Sequence, residues 1–366
     1  MTARIVLENI KHKPVRSLLS ILLIGVPVTL ILCLVGLSHG MLEDSQRRTR
    51  AIGADIIVRP PGSNLLSAGG AMREGIAAAL EKKPHVVQAI GVLNALVQGV
   101  DLYAAGIDLQ GFDRMSGGFK LQSGALFHQP DDVMIDEYYA QEKNARVGSY
   151  LTFFNKPWRV CGVYRGGMLS HIVFPLGILQ DLTEHTGQVT QVYLKLDDPA
   201  NVKAVLKSLT NDPQWGVYKW YSMADFMALF NVNNIPGLRE FVWVIVSIGV
   251  IIGFAVVCLS MYMAVLQRTR EIGILKSLGG SRAFIMRIIL AEALIMGVGG
   301  TALGIVMSYG AWWLIKTLLP ASIPMVIVYD WWPISLGITL VGTLLGALYP
   351  GLAAARHDPI EALAYE

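Results

Sequence analysis

Charged residues and cysteines are both scarce in this sequence, and each shortage narrows the class of protein. Only 16% of the residues are Asp, Glu, Lys or Arg, and the mean hydropathy of the 366-residue chain is +0.49. The chain is too apolar for an ordinary soluble domain and too polar for membrane helices alone, so we expect a few spans and one aqueous domain. Three cysteines exclude a disulfide framework, and Cys161, isolated in a polar region, is expected to be a buried thiol.

Sequence motifs for catalysis and cofactor binding are missing as well. No Gly-x-x-x-x-Gly-Lys-Ser/Thr phosphate loop and no Gly-x-Ser-x-Gly nucleophile turn occurs in the sequence. None of the seven histidines has zinc-ligand spacing to acidic or cysteine partners. The net charge is only +3 and the basic residues cluster beside apolar runs, so nucleic acid is not an expected partner. The sequence therefore predicts a non-catalytic chain with no cofactor or metal of its own.

What the sequence does contain is long uncharged runs. Residues 17–41 carry no charge, and 25 residues are enough to cross a hydrocarbon core of about 30 Å. A cleaved signal peptide is the rival interpretation, but the run is long for one and no small-x-small cleavage site precedes Glu43. Three further runs make four expected spans. The predicted segments are a cytoplasmic amphipathic helix (1–16), span 1 (17–41), an extracytoplasmic domain (42–238), span 2 (239–266), a cytoplasmic helix (267–283), span 3 (284–318), a short outer loop (319–330), span 4 (331–352) and a cytoplasmic tail (353–366).

Lys and Arg are distributed unevenly around these runs. They concentrate in residues 1–16 and 268–287 and recur at Arg356, whereas the only charged residue of the 319–330 loop is Asp330. The positive-inside rule therefore predicts that both termini and the segment between spans 2 and 3 are cytoplasmic. Five tryptophans lie near the opposite boundary, as in an aromatic belt: Trp243, Trp312, Trp313, Trp331 and Trp332.

Two further features concern the interior of the spans. Small residues recur four apart, which lets helix backbones approach closely and predicts a packed bundle, with dimer contacts as a further possibility. Glu292 lies in an apolar context, where an acid is by default a functional hypothesis. Because its helix should begin near Arg282, we favour a structural role for Glu292 near the interface, pairing with Arg287 or capping a partner. The glycine pairs are Gly249/Gly253, Gly300/Gly304 and Gly342/Gly346.

The extracytoplasmic segment is predicted to have mixed α and β structure, because runs of β-forming residues alternate with short helical patterns. A capping pair, Ser222 with Asp225, should open a helix that leads toward span 2. Strands are expected at 54–59, 131–136 and 189–196, as two strands within 86–107, and as a hairpin over 150–164 with its turn at residues 155–157. Helices are expected at 72–83, 137–144, 201–209 and 222–240.

A polar, net basic segment separates spans 2 and 3. Ile272, Leu275 and Leu278 recur at i, i+3 and i+6, which is one face of a helix, and Gly279-Gly280 permits a turn after it. We interpret the segment as an amphipathic helix held against the cytoplasmic side of the membrane and offered to a cytosolic partner. The alternative is a charged loop that only fixes the topology.

Several stretches resemble one family. Residues 270–279, Arg-Glu-Ile-Gly-Ile-Leu-Lys-Ser-Leu-Gly, resemble the Arg-Glu-Ile-Gly-x-x-Arg/Lys-Ala/Ser-x-Gly signature of the FtsX/MacB/LolC-type ABC permeases. Residues 350–363 resemble the family's Pro-x-x-x-Ala … Asp-Pro-x-Glu-Ala-Leu tail, and residues 147–163 resemble a hairpin of the MacB-type outer domain. Glu8 stands where the family usually has Arg, and the resemblance is weakest between residues 63 and 130.

The resemblance implies a fold and a set of partners. The fold would be four transmembrane helices with a MacB-like periplasmic core domain between the first two. A cytosolic ABC ATPase on a separate subunit would bind ATP and Mg, and two copies, or this chain and a similar permease, would form the complex. Membrane lipid, a periplasmic adaptor and an outer-membrane component are further implied partners. The residues implied in ATPase docking are Arg268, Arg270, Glu271, Ile272, Gly273, Leu275, Lys276 and Gly279.

The implied function is mechanical transmission in the bacterial inner membrane. Motion of the ATPase would pass through helices at 41–50 and 222–240 to the outer domain, for export or extraction of a substrate from the periplasm or outer leaflet. An FtsX-like transducer that activates an extracellular cell-wall hydrolase is the alternative, and the size of the outer domain argues for the transporter. A membrane-anchored sensor without an ATPase is a third hypothesis, which the 270–279 match disfavours.

Overall fold

The computed structural model describes residues 14–63, 70–97, 102–230, 237–267, 269–277 and 279–356. The chain divides into two compact units. The helical unit contains the residues up to 39, residues 237–314 and those from 325 onward, and the sheet unit contains 40–236 and 315–324. Most of the predicted N-terminal helix, residues 1–13, lies outside the described residues, as does the end of the predicted tail, 357–366.

The sheet unit is built on one ten-stranded mixed sheet. Its strand order is β12-β1-β11-β3-β4-β9-β6-β8-β5, with β7 paired to β8, and the β4/β9 and β6/β8 pairs are parallel. The strands are β1 Ile56–Arg59, β3 Val86–Val97, β4 Leu102–Ile107, β5 Leu121–Gly124, β6 Asp132–Asp136, β7 Tyr150–Phe153, β8 Lys156–Tyr164, β9 Ile172–Pro175, β11 Gln191–Leu196 and β12 Lys219–Ser222, and a separate pair joins β2 Met72–Arg73 to β10 Gln188–Val189.

Both faces of the sheet are covered with apolar side chains. Successive residues of a strand point to opposite faces, so Ile56 and Ile57 of β1 belong to different buried clusters. Short helices cover these faces. Cys161 of β8 is buried, as predicted, and burial raises the pKa of its thiol to about 11. The helices of this unit are α2 Gly75–Leu80, α3 Leu109–Ser116, α4 Glu137–Glu142, α5 Leu176–Leu182, α6 Val202–Asn211 and α7 Met223–Leu229.

Several local predictions for this unit need correction. The helix predicted at 72–83 is a β2 strand followed by the six-residue α2, because Met72 and Arg73 pair with β10. The hairpin turn was predicted at residues 155–157, but it consists of Phe154 and Asn155, whose φ angles are 50° and 59°. Lys156 and Pro157 belong to β8, because they pair with Phe153 and Thr152 of β7. The strand predicted at 189–196 is divided at Thr190 between β10 and β11.

The helix predicted over 222–240 is also not continuous. Its start is confirmed, because the Ser222 hydroxyl oxygen accepts a hydrogen bond from the backbone N–H of Asp225 at 2.9 Å. Helix α7 nevertheless ends at Leu229, and the next helix begins at Leu238 after Gly237, whose φ is +80°. Residues 231–236 lie outside the described residues.

Four helices of the described chain are long and apolar enough to cross a membrane. Helix α1 begins at Pro14 in the helical unit and runs without interruption through Arg50, well past the end of the uncharged run at Met41. The others are α8 Leu238–Gln267, α10 Arg282–Leu318 and α11 Trp331–Arg356, and a short helix, α9 Thr269–Ser277, lies between α8 and α10.

Close contacts at glycine hold α1 against α10. A Cβ placed on Gly304 would lie 2.7 Å from the Cβ of Val28, and one placed on Gly300 would lie 2.5 Å from Cγ2 of Ile24. The hydroxyl of Thr29 donates to the carbonyl oxygen of Gly304 at 3.2 Å. The predicted close packing is therefore confirmed at Gly300 and Gly304, although Gly253 of the predicted α8 pair has open space beside it.

We expect Gly304→Leu to destabilise the helical unit, because a side chain at this position overlaps Val28 and forces α1 and α10 apart. Overpacking of this kind typically costs about 1–3 kcal/mol. The measurement is the midpoint of thermal unfolding of the full chain in detergent. Gly310→Leu in the same helix is the matched control, since nothing lies within 4 Å of a Cβ placed there. Equal midpoints for the two variants would contradict the packing argument.

Candidate functional site

The predicted docking segment forms helix α9, which lies between the end of α8 and a turn before α10. The hydroxyl of Thr269 donates to the carbonyl oxygen of Leu266 in the last turn of α8 at 2.8 Å. The hydroxyl oxygen of Ser281 accepts from the N–H of Phe284 at 3.2 Å and caps the start of α10. Gly279 has φ of +91°, a left-handed conformation that favours glycine after a helix. The break between α9 and α10 therefore occurs at the predicted glycine pair.

One side of α9 is packed against the helical unit. Ile272 is half-buried against a cluster that includes Val265, Ile285 and Ile289, and Gly273 is buried. Ile274 is 44% exposed, so another side of the helix is open. The predicted docking residues Arg270, Glu271, Leu275 and Lys276 occupy α9, whereas Arg268 and Leu278 lie outside the described residues.

Helix α10 begins at Arg282 as predicted, and Glu292 lies about three turns into it. Its side chain is only 6% exposed, whereas Arg287 is exposed. Gly300 and Gly304 follow on the same helix at the contact with α1. These three residues predicted to be structural therefore lie within the packed part of α10.

A buried charge network joins the outer end of α1 to the sheet. Arg48 is 8% exposed; its Nε lies 2.6 Å from Oδ2 of Asp44 and its Nη2 lies 3.3 Å from Oδ2 of Asp136. The same Asp136 oxygen lies 2.8 Å from Nδ1 of His171, whose Nε2 is 2.9 Å from Arg48 Nη2. The other Asp136 oxygen accepts from the N–H of Tyr139 at the start of α4. Arg48 thus connects α1 to the end of β6.

The surroundings of Arg48 favour the charged form of its side chain. Burial by itself lowers the pKa of Arg48, but Asp44 and Asp136 outweigh it, and the pKa is raised. Burial, together with the Asp136 charge, raises the pKa of Tyr164 well above its usual value. Removing one partner of such a buried pair typically costs about 3–5 kcal/mol, because the other charge is left uncompensated. The α1 segment is therefore held firmly on the sheet.

A second contact attaches the segment after α10 to the same sheet unit. The Glu142 side chain, 3% exposed, accepts hydrogen bonds from the N–H groups of Ala321 and Ser322 at 3.1 and 2.9 Å and from the Ser322 hydroxyl at 2.7 Å. Ala321 itself belongs to the apolar core of the unit. Burial raises the pKa of Glu142, but the Ser322, Lys143 and Ala321 donors outweigh it and the net shift is downward. The carboxylate is therefore the form that holds residues 321 and 322.

The remainder of this connection belongs to the helical unit. The N–H of Val326 donates to the carbonyl oxygen of Gly36 at 3.1 Å, and a Cβ on Gly36 would lie 2.5 Å from the Val326 oxygen. In the segment between α10 and α11, Ala321 and Ser322 are bonded to Glu142, and Val326 is bonded to Gly36 of α1.

A cavity of about 470 Å³ lies beside Arg48 in the sheet unit. Tyr103, Tyr193 and Phe226 line it, and Nη1 of Arg48 has no hydrogen-bond partner in the part of the chain that the structure describes. The volume is in the range of small-molecule sites. Its walls combine these aromatic rings with polar side chains such as Asn94 and Gln191.

Neither buried contact was identified from the sequence. No pattern in the sequence distinguishes Arg48 or Glu142 from the other charged residues between 42 and 238. The partners, Asp136 and Ser322, are 88 and 180 residues away, and only the fold brings them together. The one signal in the sequence for the Arg48 contact was that residues 42–50 continue the helical pattern of the first span, which places Arg48 on the same helix.

Comparison with known proteins assigns both units. Residues 17–212, slightly more than half of the chain, match the family model of the MacB-like periplasmic core domain. Residues 243–359 match the family model of the FtsX-like permease C-terminal region. The first match covers α1 from residue 17 and the sheet unit as far as residue 212, and the second covers the later membrane helices from residue 243 onward.

Curated relatives agree with these matches. The lipoprotein-releasing system transmembrane protein LolE of Haemophilus influenzae is 25% identical, over 93% of this chain and 92% of LolE. The uncharacterized ABC transporter permease YknZ of Bacillus subtilis is 27% identical over 68% of this chain and 66% of YknZ. The macrolide export ATP-binding/permease protein MacB of Bartonella henselae is 25% identical over 95% of this chain, which spans 57% of MacB. With its four membrane helices and its mixed α/β unit, the chain belongs to the FtsX/MacB-type family of ABC transporter permeases.

Proposed function

We propose that this permease transmits the motion of a cytosolic ATPase to its sheet unit, which acts on a substrate outside the membrane. The work would be export or extraction of that substrate from the periplasm or the outer leaflet. The observation that carries the proposal is the continuity of α1 from Pro14 to Arg50, together with the buried Arg48–Asp136 pair at its end. A helix that is continuous through Pro27 and is fixed at Arg48 can pass a displacement on to the sheet unit.

Docking of the ATPase is the first step of the proposal. Family members work with ABC ATPase partners, and α9 is the segment whose sequence carries the family signature. Ile272 and Gly273 support α9 against the membrane helices, so force on its open side would move the bundle. ATP and Mg would be bound by the ATPase, and this chain would be non-catalytic. Both termini and α9 would then face the cytoplasm.

The route outward has two connections in this account. The first is α1 with the Arg48 network, and the second is the segment after α10, held by Glu142 at one end and by the Gly36–Val326 hydrogen bond at the other. A coupled mechanism needs two bundle arrangements that nucleotide binding favours differently. Two copies, or this chain with a similar permease, would provide the paired assembly, with an adaptor or outer-membrane component as further partners.

We expect Glu271→Lys to abolish co-purification of the chain with its ATPase, because it reverses a charge within the α9 signature. The measurement is recovery of the ATPase on affinity-tagged, detergent-solubilised permease. Glu240→Lys is the matched control: it is the same substitution at an exposed position on the first turn of α8. Equal recovery with both variants, with the chain still folded, would contradict docking of the ATPase on α9.

We expect Glu142→Gln to loosen the segment after α10, because a neutral amide cannot accept all three hydrogen bonds. Amide hydrogen exchange at Ala321 and Ser322 should accelerate about tenfold or more, as expected for loss of charge-assisted bonds. Glu184→Gln, an exposed glutamate in the same unit, is the control. Unchanged exchange at both amides would contradict the role of Glu142.

The same contact should depend on pH. Since the folded pKa of Glu142 lies below its usual value, its stabilisation is present above about pH 4.3, the usual glutamate pKa, and is lost as pH falls through the lowered folded pKa. Intrinsic-rate-corrected exchange at Ser322 should therefore stay slow at neutral pH and rise in acid. Glu142→Gln should remove this dependence.

A further inference from the structure

A large cleft of the sheet unit is strongly basic, and none of the proposed transmission steps uses it. The cleft has a volume of about 760 Å³ and lies where α1 meets the segments around Lys120 and Arg165. Four cations line it, and Glu43 is the one acid among the lining residues. Between residues 42 and 238 the sequence has eighteen Lys and Arg against nineteen Asp and Glu, so this excess of positive charge is local. The cations are Arg47, Arg50, Lys120 and Arg165, and we name this site the basic cleft.

The four cations are available to a ligand. All four are exposed, and within the described residues none of them forms a salt bridge, whereas Arg48, Arg159 and Lys195 do. The nearby carboxylate of Glu137 is engaged, since it accepts from the N–H of Gly166 at 3.1 Å and from the side chain of Gln122. Like charges one helical turn apart repel each other, so an anion bound between them would relieve that repulsion.

The backbone fixes the positions of these side chains. The N–H of Arg165 donates to the carbonyl oxygen of Lys120 at 2.9 Å, which places the two residues side by side. Gly167 has φ of +88°, and a Cβ there would lie 3.1 Å from Cδ of Arg47, so its backbone lies directly against the Arg47 stem. One pair of cations therefore comes from α1 and the other from the sheet side, and the two pairs face the same cleft.

The position of the helix pair indicates the source of the anion. Arg47 and Arg50 follow Met41, the end of the uncharged run, by six and nine residues on one continuous helix. At about 1.5 Å per residue, Arg47 lies about 9 Å beyond that run, close to the headgroup layer of a bilayer, and arginine stems can extend back toward it. Guanidinium groups bind phosphate oxygens with paired hydrogen bonds. We propose that the basic cleft binds the phosphate-bearing headgroup of an anionic phospholipid.

The test uses the full chain in two samples of detergent micelles, one with a small fraction of phosphatidylglycerol and the other with the same fraction of phosphatidylcholine. The lipid retained by the protein is measured by native mass spectrometry. Phosphatidylglycerol should be retained preferentially. The triple variant Arg47→Gln, Arg50→Gln, Arg165→Gln should lower that retention about tenfold or more, because each cation near an anionic lipid contributes substantially to binding. The triple variant and the natural sequence should unfold at similar temperatures, since the substituted residues are exposed.

A charge-matched control separates the cleft from general charge. Lys82→Gln, Lys203→Gln, Lys207→Gln removes three exposed cations elsewhere in the same unit and should leave retention unchanged. Equal retention of the two lipids, or an equal loss in the control, would overturn the proposal. Inorganic pyrophosphate tests whether the anion is a soluble phosphate compound instead. If pyrophosphate binds to the cleft and the protein retains the two lipids equally, the proposal is also overturned. The outcome does not depend on whether α9 docks an ATPase.

Discussion

A buried arginine between two carboxylates fixes the outer end of the first membrane helix. Arg48 lies on α1 and Asp136 at the end of β6, and the fully buried Asp136 is also held by His171 and by the start of α4. Desolvating these charges is costly, and the cost is recovered only when the geometry is kept. The pair is therefore weak evidence for overall stability but strong evidence for a fixed register between helix and sheet.

Two other sets of contacts, at the glycines of α10 and at Glu142, add to this attachment of α1 to the sheet. The glycine contacts at Gly300 and Gly304 bring α1 close to α10 inside the helical unit, so a shift of one helix would displace the side chains of the other. The Glu142 contact gives the segment after α10 its own attachment to the sheet unit. Displacement of α10 would therefore reach the sheet unit through the chain on two routes, one through α1 and one through residues 315–324.

The sequence allowed prediction of those features that depend on composition and periodicity. Uncharged runs marked the membrane helices, β-forming stretches marked most strands, and the signature at 270–279 located α9. The predictions failed where the outcome depends on pairing between distant segments: β2 is a strand because β10 lies beside it, and the chain turns at Phe154 and Asn155 because β7 and β8 pair in that register. Arg48 and Glu142 were missed for the same reason, since their roles come from residues far away in the sequence.

The account can be tested most directly by following hydrogen exchange in β6 while the ATPase of the assembled complex is trapped with ATP and vanadate. If α1 carries motion to the sheet, exchange in residues 132–136 should change about threefold or more on trapping, which is a change of at least about 0.7 kcal/mol in the free energy of local opening. The double variant Arg48→Met, Asp136→Asn removes both members of the pair and leaves the partly exposed Asp44 carboxylate without Arg48. It should abolish that change while the ATPase still co-purifies. An unchanged exchange rate on trapping in the natural sequence, or an identical response in the double variant, would contradict transmission through α1.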